Sequence, residues 1–576
     1  MAKQEPMTVE GWPERPWIMA AVGAVAGFLF FLLVDGLRYD LPITTAHLLR
    51  QSAAAGLAVA ALSFIITADR LRWTWALVFA LGWGLTIALV GYSTGAYGRS
   101  GELMGVPFLS GLLAVGIAGP LFQTMRDEGR RVLPYDKVHR YAWTDAIIGG
   151  ASFAFTGLTF LVAFLLAALF DAIGISLLKD LLNEGLFDWA MAGAAFGAVS
   201  AVLRERDPLL GTLQRLVMLV FSVLAPVLAF ALAVYLVALP VTGFGGLWKS
   251  GLPETPLLLS AAGLAFVFLN AIIGDSSEER GKGRLWRVTE TILLLAVLPL
   301  GLLALVSMGM RVGQYGWTPE RLWGVTACLI AIAFGIANVL ALWRGRSDFD
   351  APVRTYQKRL AVGLCGLALL LALPIVDFGA ISAQSQMNRL AAGKVKVDEF
   401  DWQAMAFDFG PAGRKRLSQI AREGGSEQRA LARAALANND RYDVARVVEK
   451  QAATVSLDQR LRILPEGATL PVGLRDAIVD KSLCTHNDCV TILTAPDRAV
   501  LGGKWAGMDQ LQSMVLVREA NGNWTGAEEL RLRTEAEARV AGVAPTADVS
   551  AAPVEIRPVE RRQLFIDGKP VGQPFE

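Results

Sequence analysis

Apolar stretches of bilayer length recur along the first two thirds of the chain and stop near Ile381. A hydrocarbon core about 30 Å thick takes roughly 20 apolar residues to cross at helical rise. Windows of about 19 residues place such stretches at 17–34, 51–67, 73–90, 103–122, 146–170, 187–203, 216–239, 256–273, 288–310, 322–343 and 360–380. Beyond 456 the period shortens toward two, at 489–495, 513–519, 524–533 and 554–571, with Asn521-Gly522 and Asp567-Gly568 as hairpin turn signals. The pattern predicts an all-α polytopic transmembrane bundle of about 11 helices followed by a soluble α+β extracytoplasmic domain. The expected division is a cytoplasmic tail at 1–16, the bundle at 17–381, a linker with short helices at 382–455 and a small β-rich domain at 456–576. Between the fifth and sixth spans, DAIGISLLKDLLNEGLFDW has the amphipathic pattern of a short helix lying on the outer leaflet.

Composition agrees with a bilayer as the main solvent: 54% of the 576 residues are apolar and 18% charged, with a mean hydropathy of +0.44. Charge then fixes an orientation. One set of alternate loops, holding Arg70, Arg72, Arg126, Arg130, Arg131, Lys137, Arg140, Arg204, Arg206, Arg215 and their counterparts near 284 and 350, carries 19 basic residues; the other set carries 7. Positive charge stays inside, so the N-terminus is expected in the cytoplasm and, after an odd number of spans, the C-terminal domain in the periplasm. From Met387 onward 26 basic residues balance 26 acidic ones, so the soluble part has no electrostatic footprint for nucleic acid. The expected compartment is the bacterial inner membrane, with membrane lipids as first partners.

The spans are poor in chemistry. Asp145, Asp188, Glu290 and Asp377 lie within a turn or two of a membrane surface, and the span centres hold no Lys, Arg, Asp, Glu or His, which weighs against a proton relay or a charged filter. Asn270 and Asn338 are expected to make interhelical hydrogen bonds. Gly23 with Gly27, and Gly193 with Gly197, form small-residue faces that allow close helix approach. Pro226, Pro299 and Pro374 mark expected kinks, and eight tryptophans near span ends, from Trp17 to Trp343, form an interfacial belt.

Outside the bilayer three features stand out. The short outer loop RVGQYGWTPER can hold an anionic headgroup with Arg311, Tyr315, Trp317 and Arg321, and Thr318 can cap the helix that Pro319 opens. Cys484 and Cys489, in CTHNDC, read as a disulfide in an oxidising compartment; with His486 they make a poor zinc set, and neither a metal nor a cofactor is expected. Asp35 and Asp40, in the first outer loop, are the carboxylates that a membrane enzyme of this plan would use as base or metal ligand.

The outer loop, followed by FDWQAMAFDFGPAGRKRL (400–417) and RILPEGATLP (462–471), resembles the bacterial membrane proteins known as domain of unknown function 4153, from about the seventh span to Pro471. That resemblance implies a multi-span bundle before an exported region and brings no catalytic residues. The reading it leaves is an integral inner-membrane protein of unassigned activity, a cell-envelope anchor for a periplasmic interaction or sensing domain, with envelope proteins or lipid-linked glycans as further partners. One alternative is an enzyme acting on lipid-linked substrates at the outer leaflet, glycosyltransferase-like in plan. A second alternative is a transporter of lipid or hydrophobic solute.

Overall fold

The computed structural model describes residues 12–37, 44–97, 105–129, 132–243, 253–274, 283–397, 399–437, 441–480, 488–504, 511–520, 522–531, 562–566 and 569–575. The chain divides into two compact units, Met1–Lys394 with Ala404–Arg416, and Val395–Gln403 with Leu417–Glu576. The first unit is helical: α1 Arg15–Val34, α2 Thr45–Thr67, α3 Trp73–Tyr97, α4 Val106–Glu128, α5 Tyr135–Ala172, α6 Leu177–Leu182, α7 Gly185–Glu205, α8 Asp207–Thr242, α9 Glu254–Ile273, α10 Arg284–Tyr315, α11 Pro319–Gly345, α12 Asp350–Ala372 and α13 Phe378–Ala391. Among the described residues ten of these, α1 to α5 and α7 to α11, are long and apolar enough to cross a membrane.

The expected eleventh span is built differently. Helix α12 begins at Asp350, carries Asp350, Arg354, Lys358 and Arg359 in its opening turns, and ends at Ala372. Pro374 therefore lies beyond a helix end rather than inside a kinked span. Asp377 then starts α13, its Oδ1 accepting from Ala380 N at 2.9 Å. The stretch read as a polar linker is in its first part this separate helix, with Ser382 and Ala383 buried.

Glycine decides the closest contacts in the bundle. A Cβ built on Gly23 would lie 1.9 Å from Gly193 O, one on Gly193 2.0 Å from Gly23 O, one on Gly27 2.0 Å from Trp189 O, and one on Gly197 2.1 Å from Met19 O. Helices α1 and α7 thus pack backbone on backbone along the two faces the sequence marks as small. Gly56 and Gly84 repeat the arrangement between α2 and α3. Elsewhere size fills space: Leu258, Leu269, Leu293, Leu294, Leu300 and Ala304 form a buried cluster among α8 to α12. Asn338 Nδ2 donates to Leu294 O at 3.3 Å, the expected bond between helices.

The outward surface is apolar over wide areas, with Leu85, Phe230 and Val237 more than two thirds exposed, as lipid-facing side chains are when no lipid is counted. Trp17, Trp73, Trp189 and Trp343 are exposed at helix ends, while Trp248 lies outside the described residues. Helix α6 is the short amphipathic element: Leu182 is buried, Leu177 exposed, and Lys179 Nζ pairs with Asp171 Oδ2 at 2.8 Å. That carboxylate holds the Lys179 ammonium above its ordinary range.

The second unit contains α16 Ser426–Ala437, α17 Arg441–Arg460 and α18 Leu474–Asp480, with strands β1 Leu461–Leu464, β2 Cys489–Ala495, β3 Arg498–Lys504, β4 Leu511–Arg518 and β5 Trp524–Arg531; the helices α14 Trp402–Phe407 and α15 Gly410–Glu423 precede them. The sheet order is β1-β2-β3-β4-β5, with β1 parallel to β2 and the rest antiparallel. Alternate inward residues, Ala499 and Leu501 on β3 and Met514 and Leu516 on β4, join Leu474, Ile478 and Trp524 in one core. Gly522, at φ +87, closes the β4–β5 turn through Gly522 N donating to Glu519 O at 2.9 Å. A separate hairpin pairs β6 Arg562–Ile566 with β7 Lys569–Phe575; its expected turn, Asp567-Gly568, lies outside the described residues, as does Asn521.

Candidate functional site

Among the described residues the ion pairs of the bundle lie toward its two ends. At the end bearing the basic loops they begin with a problem of helix geometry: the last carbonyls of a helix have no partner and carry partial negative charge. Helix α2 solves it with three arginines from three other helices. Arg204 of α7 donates to Ile66 O, Arg126 of α4 to Thr67 O, and Arg15 of α1 to Ala68 O at 2.8 Å. Each is in turn held. Arg15 Nη1 meets Glu205 Oε1 at 3.2 Å, whose other oxygen accepts from Trp12 N at 3.0 Å. Arg204 donates to Gln123 Oε1 and lies 3.5 Å from Asp145 Oδ1, and Gln123 Nε2 donates to Asp145 Oδ2. Asp145, legible only as a carboxylate near a surface, is thus the counter-charge of a guanidinium that closes a helix end.

Beside this network lies a second polar group. The Tyr135 hydroxyl stands 3.2 Å from His139 Nδ1, 3.3 Å from Asn270 Oδ1 and 3.3 Å from Gln357 Oε1. A phenol has one proton to give, so it cannot serve both amide oxygens. Asn270 is fixed, because its Nδ2 donates to Phe266 O at 2.8 Å. Gln357 is therefore assigned with its NH2 toward Tyr135, which also satisfies an Nε2 otherwise buried without a partner. Arg354 Nη2 caps α9 at Ile273 O, 2.9 Å away, and pairs with Asp350 Oδ2 at 2.9 Å.

Next to His139 is a cavity of about 610 Å³ among α5, α8, the end of α9 and the start of α10. His139, Arg140, Gln214, Arg215, Ser222 and Trp286 supply its polar wall, and Met218, Leu219 and Ile272 its apolar one. Among the described residues no acidic side chain lines it. Guanidinium, imidazole, amide and hydroxyl groups of this kind are donors suited to an anion. Sequence reading used Arg140 and Arg215 only as charges in a loop count and passed over His139, one of three histidines in the chain.

At the opposite end, the loop 316–318 is clamped to α13. Gln386 Nε2 donates to Tyr315 O at 3.0 Å and Trp317 O at 2.9 Å, Arg389 Nη2 to Gln314 O at 2.6 Å, and Trp317 N to Ser385 Oγ at 3.2 Å. Of the four residues read as a headgroup site, Arg311 pairs with Glu254 at 2.8 Å. Arg321 donates to Gly316 O at 2.7 Å and lies over the Tyr315 ring, 5.4 Å from its centre; Trp317 contributes its backbone. Thr318 caps α11 through Arg321 N, at 3.4 Å, with Pro319 in the first position.

The two outer-loop carboxylates are not seen together: Asp35 is the cap of α1, its carbonyl accepting from Arg50 Nη2 at 2.6 Å, and Asp40 lies outside the described residues. Cys489 opens β2, fully buried, while Cys484 and His486 lie outside the described residues. The stretch 400–417 packs closely through glycine: a Cβ on Gly413 would lie 2.2 Å from Met405 O, and one on Gly379 of α13 2.5 Å from Phe409 O.

Comparison with known protein families gives a match. The family model described as a domain of unknown function (DUF4153) covers residues 54–407, starting in α2, earlier than the resemblance traced from the outer loop, and ending before RILPEGATLP. No curated protein and no solved structure matches the chain.

Proposed function

The chain belongs to the DUF4153 family and, with ten helices among the described residues long and apolar enough to cross a membrane, is a multi-pass membrane protein, and from that premise we propose a cell-envelope role for it. In this reading the bundle sits in the bacterial inner membrane with its N-terminus in the cytoplasm. It anchors the α+β unit on the periplasmic side, where that unit binds or senses envelope components. One observation carries the reading: among the described residues the bundle's ion pairs lie toward helix ends, several of them on arginines that cap a helix, while close contacts along the helices are made by glycine backbone and aliphatic side chains. A bundle built this way is suited to holding and positioning.

The side is supported by the excess of basic residues in one set of loops, and it requires α12, which is not among the ten helices long and apolar enough to cross a membrane, to make an eleventh crossing. An oxidising compartment also suits a bond between Cys484 and Cys489. Alkaline phosphatase fused after Glu576 is expected to be active. An inactive fusion that becomes fluorescent when a cytoplasmic reporter replaces the phosphatase overturns the topology. For the role itself, a chain truncated after Arg416 is expected to insert in the membrane yet fail to complement loss of the full-length protein; full complementation by the truncated chain overturns the reading.

A further inference from the structure

The cavity at the basic end has a composition that the anchoring role does not use. We propose that it binds a phosphate-bearing anion, presented as the headgroup of an anionic phospholipid from the leaflet at that end. Three observations converge on it. Its polar wall includes Arg140, Arg215 and His139 and, among the described residues, no carboxylate, the donor set that suits phosphate oxygens. Its volume of about 610 Å³ falls in the range of sites for small ligands, roughly 300–1,000 Å³.

Its apolar wall includes Leu219, which is 61% exposed, in a row with Leu216, Val220, Val223 and Val227 that faces outward along α8. The cavity wall therefore continues onto a lipid-facing surface, where acyl chains can lie while the headgroup enters. From Gly211 to Ser222 the wall descends about 16 Å along α8 at helical rise, from the interfacial turns to the edge of the hydrocarbon. Tyr135 holds the His139 ring by Nδ1 at 3.2 Å, and Trp286 stands at the start of α10, so the site is built on helices rather than on a loop. Among the described residues Arg215 makes no hydrogen bond or ion pair.

The test uses the full-length protein in an uncharged maltoside detergent, titrated with dioctanoyl phosphatidylglycerol, dioctanoyl phosphatidylcholine and inorganic phosphate, with adducts counted by native mass spectrometry and affinities measured by calorimetry. One phosphatidylglycerol is expected to bind tightly, phosphatidylcholine and free phosphate much more weakly. Arg140→Gln with Arg215→Gln should weaken binding about 30-fold, the loss expected for two cations at a membrane surface. Arg215→Gln alone, which removes no hydrogen bond or ion pair to a described residue, should account for part of it. The control pair Arg284→Gln and Arg287→Gln removes the same charge from the same end but outside the cavity, and should change affinity less than about threefold. Equal losses in the two pairs, binding of phosphatidylcholine as tight as phosphatidylglycerol, or inorganic phosphate binding as tightly as the lipid would each overturn the proposal.

Discussion

A single methyl group at Gly193 tests the backbone contact on which α1 and α7 depend. The Cβ of Gly193→Ala would stand 2.0 Å from Gly23 O, whereas carbon and oxygen in close contact lie about 3.3–3.6 Å apart. The helices must part by more than 1 Å, roughly the difference, and the other close approaches, Gly27 to Trp189 O and Gly197 to Met19 O, open with them. Weak Cα–H···O contacts contribute about 0.5–1 kcal/mol each and overpacking costs about 1–3 kcal/mol, so the expected loss is roughly 2–4 kcal/mol. Thermal denaturation in detergent should show a fall of at least about 4 °C. Gly157→Ala is the matched control, since a Cβ there meets nothing within 4 Å, and it should be neutral or stabilising by up to about 1 kcal/mol. Gly23→Ala added to Gly193→Ala should cost much less than it does alone, because the helices have already moved. Equal midpoints for Gly193→Ala and Gly157→Ala would refute the reasoning.

Arg204→Met leaves Asp145 without its cation and Ile66 O without its donor, and should cost roughly 3–5 kcal/mol; adding Asp145→Leu should recover part of the loss, measured by the same denaturation. Thr318→Ala removes one helix cap and should cost about 1 kcal/mol. Gly316→Ala should cost more, because Gly316 sits at φ +77 and its Cβ would lie 2.5 Å from Arg389 Cδ; the opposite ranking contradicts the clamp of α13 on this loop. Peptide mass spectrometry of unreduced protein should find Cys484 joined to Cys489, contributing about 2 kcal/mol by loop closure, and free thiols at Cys328 and Cys365.

Much of the bundle is legible in the sequence because bilayer length is a one-dimensional constraint, and both glycine faces are readable from their spacing. Which faces meet is not, since pairing Gly23 with Gly193 requires knowing that the first helix neighbours the seventh. Helix α12 was displaced for a different reason: its charged opening turns are tolerated because Arg354 finds Ile273 O and Asp350, partners distant or invisible to a hydropathy window. In the second unit β2, β4 and β5 form where the strand period predicts them, whereas β1 is only four residues long and β3 contains Gly502 and Gly503, which hide the period. The cavity escaped because its donors come from helices far apart in sequence, and charge counting treats an arginine lining a wall like one in water.

The arginine caps on α2 set a schedule for making the protein. Arg126 follows Thr67 by 59 residues and Arg204 follows Ile66 by 138. At roughly 5–20 residues per second of synthesis, the end of α2 waits roughly 7–28 s for its last guanidinium after it has left the ribosome's decoding centre. Through that interval its carbonyls must be served by interfacial water, lipid headgroups or the insertion machinery. A nascent chain halted before Arg204 should therefore hold α2 and α3 in the membrane with a frayed, chemically accessible junction at 66–68, one that only the arrival of the seventh helix seals.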